Sequence, residues 1–193
     1  MARASGDLPR LSFEEFLRFD GEMDVRYELY QGRLVAMAPP HGRHGRINAN
    51  LAKVMDRCSS DPDRCFTYVG TGLVVSESDA TFLIPDAMFS CAPLDGRGQL
   101  HEASIVVEIL SPSTAANDFR LKVPLYQRVE GVQEIWLVDA TRRWLQRWQR
   151  HGEDWIVALP VIGHDSFHSQ VLNARVSLTD LYAGLRFDED EGD

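Results

Sequence analysis

The sequence predicts an α/β protein built on a mixed β-sheet flanked by helices, and three observations carry that class. Short β-rich runs outnumber helical stretches along the chain. Helical spacing occurs both before and after the central strands, which is the order of a layered sheet-and-helix domain. The last third then reads as an added strand meander. At 193 residues the chain suits a single domain, placed here at residues 1–187, with an acidic disordered tail at residues 188–193. Hydrophobic residues at 44% and charged residues at 25% are globular values that exclude general disorder.

Taken in order, Phe13 to Phe19 reads as a short helix. Ser12 is its N-cap and Glu15 stands three residues on, the pattern of a capping box. Gln31-Gly32 between two alternating runs predicts a hairpin, with strands at Tyr27 to Tyr30 and Arg33 to Ala38, closed by Pro39 and Pro40. Residues 43–58 show helical spacing. Ile47, Leu51, Val54, Met55 and Cys58 share one face, and Arg46, Asn50, Lys53 and Arg57 share another.

Strand-like runs follow at Phe66 to Val69, Gly72 to Ser76, Ala87 to Cys91 and Ser104 to Leu110. SPSTAAND is a loop entering a helix that runs to about Val129. Pro124 should kink that helix or reset its start, and Gly131 should end it. Glu134 to Val138, Trp144 to Gln149 and Trp155 to Leu159 form the meander, with a turn at His151-Gly152. A short helix at Leu178 to Leu185 closes the pattern.

Charge and cysteine content exclude several classes. The net charge of −9 counts against a non-specific nucleic-acid binder, although five acids sit in the last six residues alone. No apolar run approaches a membrane span, and MARASGDLPR lacks the apolar stretch of a secretory signal, so no membrane and a cytoplasmic setting are expected. Cys58, Cys65 and Cys91 form no CxxC pair, so reduced thiols are expected rather than a disulfide framework or a zinc site.

The strongest chemical constellation is acidic. Asp86 opens the run DAMFS, and Glu108 is the odd residue in the apolar run IVVEIL. A carboxylate in such a strand must be paired, protonated or bound to a cation. Two carboxylates brought to one face of neighbouring strands suit Mg²⁺, which takes one or two of them and keeps water and substrate oxygens as its other ligands. A structural partner for Glu108 is the competing reading.

Lys122 lies in the helix after the SPST loop, where it either folds back toward the acids or faces water. Glu28 in YELYQ either completes an acidic cluster or faces water. His44 shares the apolar stripe of its helix, where hydrogen-bonded packing is the commoner role. His164 and His168 have i, i+4 spacing, but GHDSFHS reads as loop without a third ligand, which argues against zinc. Gly70-Thr71-Gly72 is a turn and no dinucleotide fingerprint. Ser111 and Ser113 lack a nucleophile elbow and serve to turn the chain and cap the helix.

Together YELYQGRLV, APPHGRHGRI, PDAMF, VVEILSPST and NDFRLKVPLYQRVEGVQEIWLVD resemble the Uma-type family, restriction-endonuclease-like members of the PD-(D/E)XK nuclease superfamily. The resemblance runs from about Leu11 to Leu185. It implies a restriction-endonuclease-like mixed sheet with the active site at one sheet edge, and Mg²⁺- or Mn²⁺-dependent endonuclease chemistry on nucleic acid, with DNA foremost. Carried over by motif, Asp86 and Glu108 become metal-binding acids and Lys122 the catalytic lysine, with Glu28 and His44 as accessory residues. In the superfamily's usual motif the lysine stands two residues after the second acid, and here that position is Leu110. The basic faces at Arg43, Arg46, Lys53 and Arg57 and at Arg142, Arg143, Arg147 and Arg150 are candidates to guide a backbone. The alternative is a catalytically inactive nuclease-fold module for binding or assembly, and a homodimer is open. Sugar hydrolysis by two carboxylates is the weakest reading, because it leaves Lys122 without a role.

Overall fold

The computed structural model describes residues 10–37, 42–111, 115 and 118–187. Ala38 to Pro40, Ser113 and the acidic run at 188–193 lie outside the described residues.

The centre is a seven-stranded mixed sheet. Its strands are β3 (Phe66–Val69), β6 (Ala87–Ser90), β7 (Ile105–Leu110), β8 (Glu134–Asp139), β9 (Trp144–His151) and β10 (Asp154–Val157), in the order β10-β9-β8-β7-β6-β3, with the short β11 (Val161–Ile162) also on β9. Only β7 and β8 are parallel; the crossover between them carries the helical segment after residue 111. A four-stranded antiparallel sheet, β2-β1-β5-β4, stands beside it, formed by β1 (Tyr27–Tyr30), β2 (Arg33–Ala36), β4 (Leu73–Ser76) and β5 (Thr81–Leu83). The β1–β2 hairpin turns through Gln31 at φ 48° and Gly32 at φ 81°, the two left-handed residues that a tight two-residue turn requires.

All six residues of β7 are buried because both faces of the central sheet are covered. On one face Val107 and Ile109 join a core with Ile47, Leu51, Val54 and Met55 of α2 (Gly42–Arg57). The antiparallel pair β12 (Ser166–Ser169) and β13 (Ala174–Ser177) and the last helix add Phe167, Val176, Leu178 and Leu181 to it. On the other face Val106 and Leu110 pack with Met88, Ile135 and Leu137 against Val123, Leu125 and Tyr126. A third core, around Leu29, Leu34, Phe82 and Ile84, joins the small sheet to α1 (Phe13–Leu17). Each fully buried aliphatic side chain in these layers stabilises the fold by about 1.5–3 kcal/mol.

Several sequence expectations hold. α1 carries the capping box, with Ser12 and Glu15 bonded reciprocally. Pro124 resets the helix as expected: a π-helical turn at Asp118–Lys122 passes into α3 (Val123–Gln127), whose first turn holds Pro124 where its missing N–H costs little. Others need correction. α3 stops at Gln127, before Gly131, and α4 (Leu178–Leu181) is shorter than expected, with Ser177 as its N-cap. GHDSFHS is no loop, since Ser166 to Ser169 form β12; β5 and β11 are too short to show as runs.

The cysteine expectation is overturned. Cys65 and Cys91 form a disulfide, leaving Cys58 free. Register explains it: Phe66 pairs with Ser90, so the residues just outside that pair are neighbours across β3 and β6. That proximity is long-range and invisible in cysteine spacing.

The basic faces are also used within the fold. Arg43 donates to the carbonyl of Arg186, Arg46 to that of Ala183, and Arg57 pairs with Asp180. Arg142 pairs with Asp139, and Arg143 lies over Phe187. Arg147 is buried on Phe167, while Arg150 caps the carbonyls of Gln127, Val129 and Val132. The α2 arginines thus hold the C-terminal segment against that helix, Arg143 and Arg147 hold Phe187 and β12 against β9, and Arg150 holds the chain that follows α3.

Candidate active site

The acids meet because of strand register. Ala87 pairs with Val107, so Asp86, one residue before β6, lies across from Glu108 near the middle of β7. Asp86 Oδ2 accepts from the Ile109 N–H at 2.6 Å, which ties the loop end to the neighbouring strand. His44, in the first turn of α2, brings Nε2 to 3.0 Å from the same oxygen, and both side chains are mostly buried.

Glu108 is 3% exposed. Its Oε1 accepts from Lys122 Nζ at 3.1 Å and from the Tyr126 hydroxyl in a short hydrogen bond. Lys122 is equally enclosed. Its ammonium also lies 3.0 Å from Glu28 Oε1 and 3.8 Å from Asp118 Oδ1. Glu28 comes from β1 of the small sheet; it accepts from the Ile84 N–H at 2.8 Å and, through Oε2, from the Tyr30 hydroxyl at 2.6 Å. The site therefore sits where the small sheet, the central sheet and the π turn meet.

Its electrostatics follow from burial and an excess of acid. Desolvation pushes the Glu108 carboxyl well above its usual range. Lys122 opposes that shift, while Asp86, Asp118 and Glu28 reinforce it. For Lys122, burial works against the charged form, but Glu108, Glu28, Tyr30 and Asp118 outweigh it and hold the ammonium protonated. Burial likewise pushes the Tyr30 and Tyr126 hydroxyls up, so both stay neutral donors to their carboxylates. One ammonium faces three carboxyl groups, Glu28, Glu108 and Asp118, with Asp86 next to Glu108, so the pocket holds more acid than ammonium.

The donor set was weighed against a divalent cation. Among the described residues no three His, Cys, Asp or Glu side chains form a ready-made cage. A closed structural metal site is thus not what these residues build. They do fit a hard ion held by two carboxylates. Among the described residues, Asp86 Oδ1 and Glu108 Oε2 accept no hydrogen bond, whereas their partner oxygens are engaged. An ion of the Mg²⁺ type needs no more protein ligands than that. His44 Nδ1 is buried without a hydrogen-bond partner among the described residues, which leaves a polar atom to satisfy at the same place.

All five residues singled out from the sequence, Glu28, His44, Asp86, Glu108 and Lys122, converge. Leu110, where the resemblance would place the lysine, shares Glu108's sheet face and is buried in the core beneath α3, and Lys122 reaches the acids from the π turn instead. Three contributors were missed. Asp118, Lys122 and Tyr126 stand at i, i+4 and i+8, a helical stripe legible in NDFRLKVPLY. Tyr30 follows Glu28 by two and so shares its strand face.

A family model described as "Putative restriction endonuclease", Uma2, matches residues 13–179, and the chain belongs to that family. Two uncharacterised proteins of Synechocystis sp. are similar. One is 25% identical over 95% of this chain and 97% of its own length, and the other 23% identical over 76% and 85%. Among solved structures, a "putative nuclease belonging to DUF820" from Anabaena variabilis superposes with a TM-score of 0.69 at 17% identity. The match covers 90% of this chain and 98% of that one, a likeness of fold.

Proposed function

We propose that this protein is a divalent-metal-dependent endonuclease that hydrolyses phosphodiester bonds, with DNA as its foremost substrate. The observation that carries the reading is the convergence of Asp86, Glu108 and Lys122 from separate elements into one pocket, with more acid than base buried there. Asp86 and Glu108 are the residues that would hold the cation, Mg²⁺ or Mn²⁺, through the two oxygens that take no hydrogen bond. When bound, such an ion neutralises phosphate charge and polarises a phosphoryl oxygen.

The chain's own groups do the rest. Lys122, kept protonated by Glu108 and Glu28, donates to phosphoryl oxygens as negative charge develops on them. Glu28 is a positioning residue: anchored by the Ile84 N–H and the Tyr30 hydroxyl, it fixes where the ammonium stands. His44 and the Ile109 N–H hold Asp86 by one oxygen and leave the other without a hydrogen bond among the described residues. Tyr126 does the same for Glu108.

The test is cleavage of supercoiled plasmid, single-stranded DNA and RNA with Mg²⁺, Mn²⁺ or EDTA. Asp86→Asn and Glu108→Gln should abolish metal-dependent cleavage. Lys122→Met should lower single-turnover rate about 10²–10³-fold while metal binding persists. No metal-dependent cleavage by the folded wild type overturns the reading and moves it to a binding module that keeps the fold.

A further inference from the structure

Beside the acid pocket lies a cavity of about 580 Å³ that the mechanism above does not use. It opens between the β1–β2 hairpin and the π turn, and is lined by Tyr30, Arg33, Val35, Arg120, Leu121 and Leu125, with Gln31 at the turn. Two of its walls belong to the site itself: the Tyr30 hydroxyl binds Glu28, and Leu121 and Leu125 bracket Lys122 along the chain. The lining contains two guanidiniums and no carboxylate, in a chain of net charge −9. Arg33 and Arg120 take part in no ion pair among the described residues, unlike the arginines committed to carbonyls and rings elsewhere.

The π turn explains how these side chains come to the rim. Asp118 and Lys122, four apart, are both buried in the pocket, and the three residues between them are all exposed. Of these, Arg120 and Leu121, the latter 52% exposed, line the cavity, while Phe119 packs on the rings of Trp144 and Trp148. The i, i+4 spacing puts Asp118 and Lys122 on one face of the turn and leaves the residues between them on the other. Here it sends Asp118 and Lys122 inward and Arg120 and Leu121 to the cavity.

We propose that this cavity is a subsite for one unpaired nucleotide next to the scissile bond. Arg33 and Arg120 take its phosphate groups, and Leu121, Val35 and the Tyr30 ring take the sugar and base face. The assignment rests on the nuclease reading of the adjacent pocket and specifies its substrate as a strand with unstacked bases. Charge complementarity argues for phosphate, since a guanidinium without a protein partner presents a planar fork to an oxyanion. The apolar half argues for an unpaired nucleotide: a duplex offers such a cleft only its backbone, whereas a splayed nucleotide offers phosphate and base together. The volume is that of a small-ligand pocket and too small for a duplex segment.

The experiment is fluorescence anisotropy with a labelled twelve-residue oligothymidylate and the full chain, in EDTA so that cleavage plays no part. Relative to wild type, the double variant Arg33→Ala/Arg120→Ala should bind at least tenfold more weakly at low salt. Its slope of log K against log salt should be shallower by about 1.4, two single-strand phosphate contacts at roughly 0.7 each. Arg33→Lys/Arg120→Lys should keep most of the slope, and Leu121→Ser should weaken binding with the slope unchanged. Both arginines are exposed, so the variants should melt as wild type does.

Identical isotherms in wild type and the double alanine variant, or no binding by wild type, overturn the subsite. Tighter binding of a self-complementary duplex through the same arginines overturns the unpaired-nucleotide assignment. Cleavage assays separate this from the reading beneath it. A wild type that binds as expected but never cleaves leaves the subsite standing and ends the hydrolytic assignment. One that cleaves, with the double variant binding and cleaving unchanged, does the reverse.

Discussion

Glu108 shows how a single residue declares itself. One carboxylate in an otherwise apolar strand is expensive to bury, so its neighbours can be anticipated before they are seen. Its partner Asp86 was legible for the same reason, since Pro85-Asp86 opens the next strand in the sheet. The phenols Tyr30 and Tyr126 were not, because a tyrosine in a β- or helix-forming run looks like packing until its hydroxyl finds a carboxylate. Burial raises the folded-state pKa of Glu108 above its ordinary value near 4.5. The stability this group contributes is then full below that value and lost as pH rises through the folded-state pKa. Lys122 is also shifted upward, from 10.5, so its contribution stays constant across the acid-to-neutral range. Glu108→Gln cannot ionise. The melting temperature of metal-free wild type minus that of Glu108→Gln should therefore fall steadily between about pH 4 and pH 8. A difference that is flat or rises with pH would mean that Lys122 alone keeps the carboxylate ionised.

At the scale of elements, the strands of the central sheet and α2 were readable from periodicity, but two kinds of feature were not. Very short strands such as β5 and β11 exist only because a neighbour supplies their hydrogen bonds. The π turn shares its residue pattern with an α-helix, and no local signal separates them. Elements also decide what a buried acid means, as Glu134 in β8 demonstrates. It is 1% exposed, yet Oε1 accepts from the Ser169 hydroxyl and the Gln170 and Val171 N–H groups, and Oε2 from the Trp136 indole. Every donor comes from β8 itself, the end of β12 or the turn that follows it, and no cation is wanted. Glu134→Ala should destabilise the protein by roughly 3 kcal/mol or more, because several buried donors lose their acceptor at about 1–3 kcal/mol each. Denaturant melts should show that loss, with single-turnover rate per folded molecule unchanged. A variant of wild-type stability would mean that the hairpin holds its place without this anchor.

For the whole molecule, charge distribution matters more than its sum. The overall acidity argued against nucleic acid, yet Arg33 and Arg120 line the cavity beside the acid pocket while the arginine-rich stripes also bond to carbonyls within the fold. Sequence alone ranks arginines by density; only the fold tells which are also engaged within the chain. No helix among the described residues is long and apolar enough to cross a membrane. The same buried excess of acid predicts how the metal-free protein responds to divalent ions. A cation that enters between Asp86 and Glu108 replaces repulsion with attraction and binds the folded chain alone, because unfolding separates the two strands. Saturating Mg²⁺ or Mn²⁺ should therefore raise the melting temperature, with a stabilisation of about 2.7 kcal/mol at one hundred times the dissociation constant. The gain should grow from pH 5.5 to pH 8, because the ion competes with the proton that burial favours on Glu108. Asp86→Ala should remove the metal-induced shift; without metal it relieves repulsion but orphans the Ile109 N–H and His44 Nε2, so the shift on adding metal, and not the absolute melting temperature, is the readout. Calorimetric scans of both proteins, with and without Mn²⁺ at the two pH values, measure these effects together. An equal metal-induced shift in wild type and Asp86→Ala would place the ion elsewhere on the chain and withdraw Asp86 from the role of ligand.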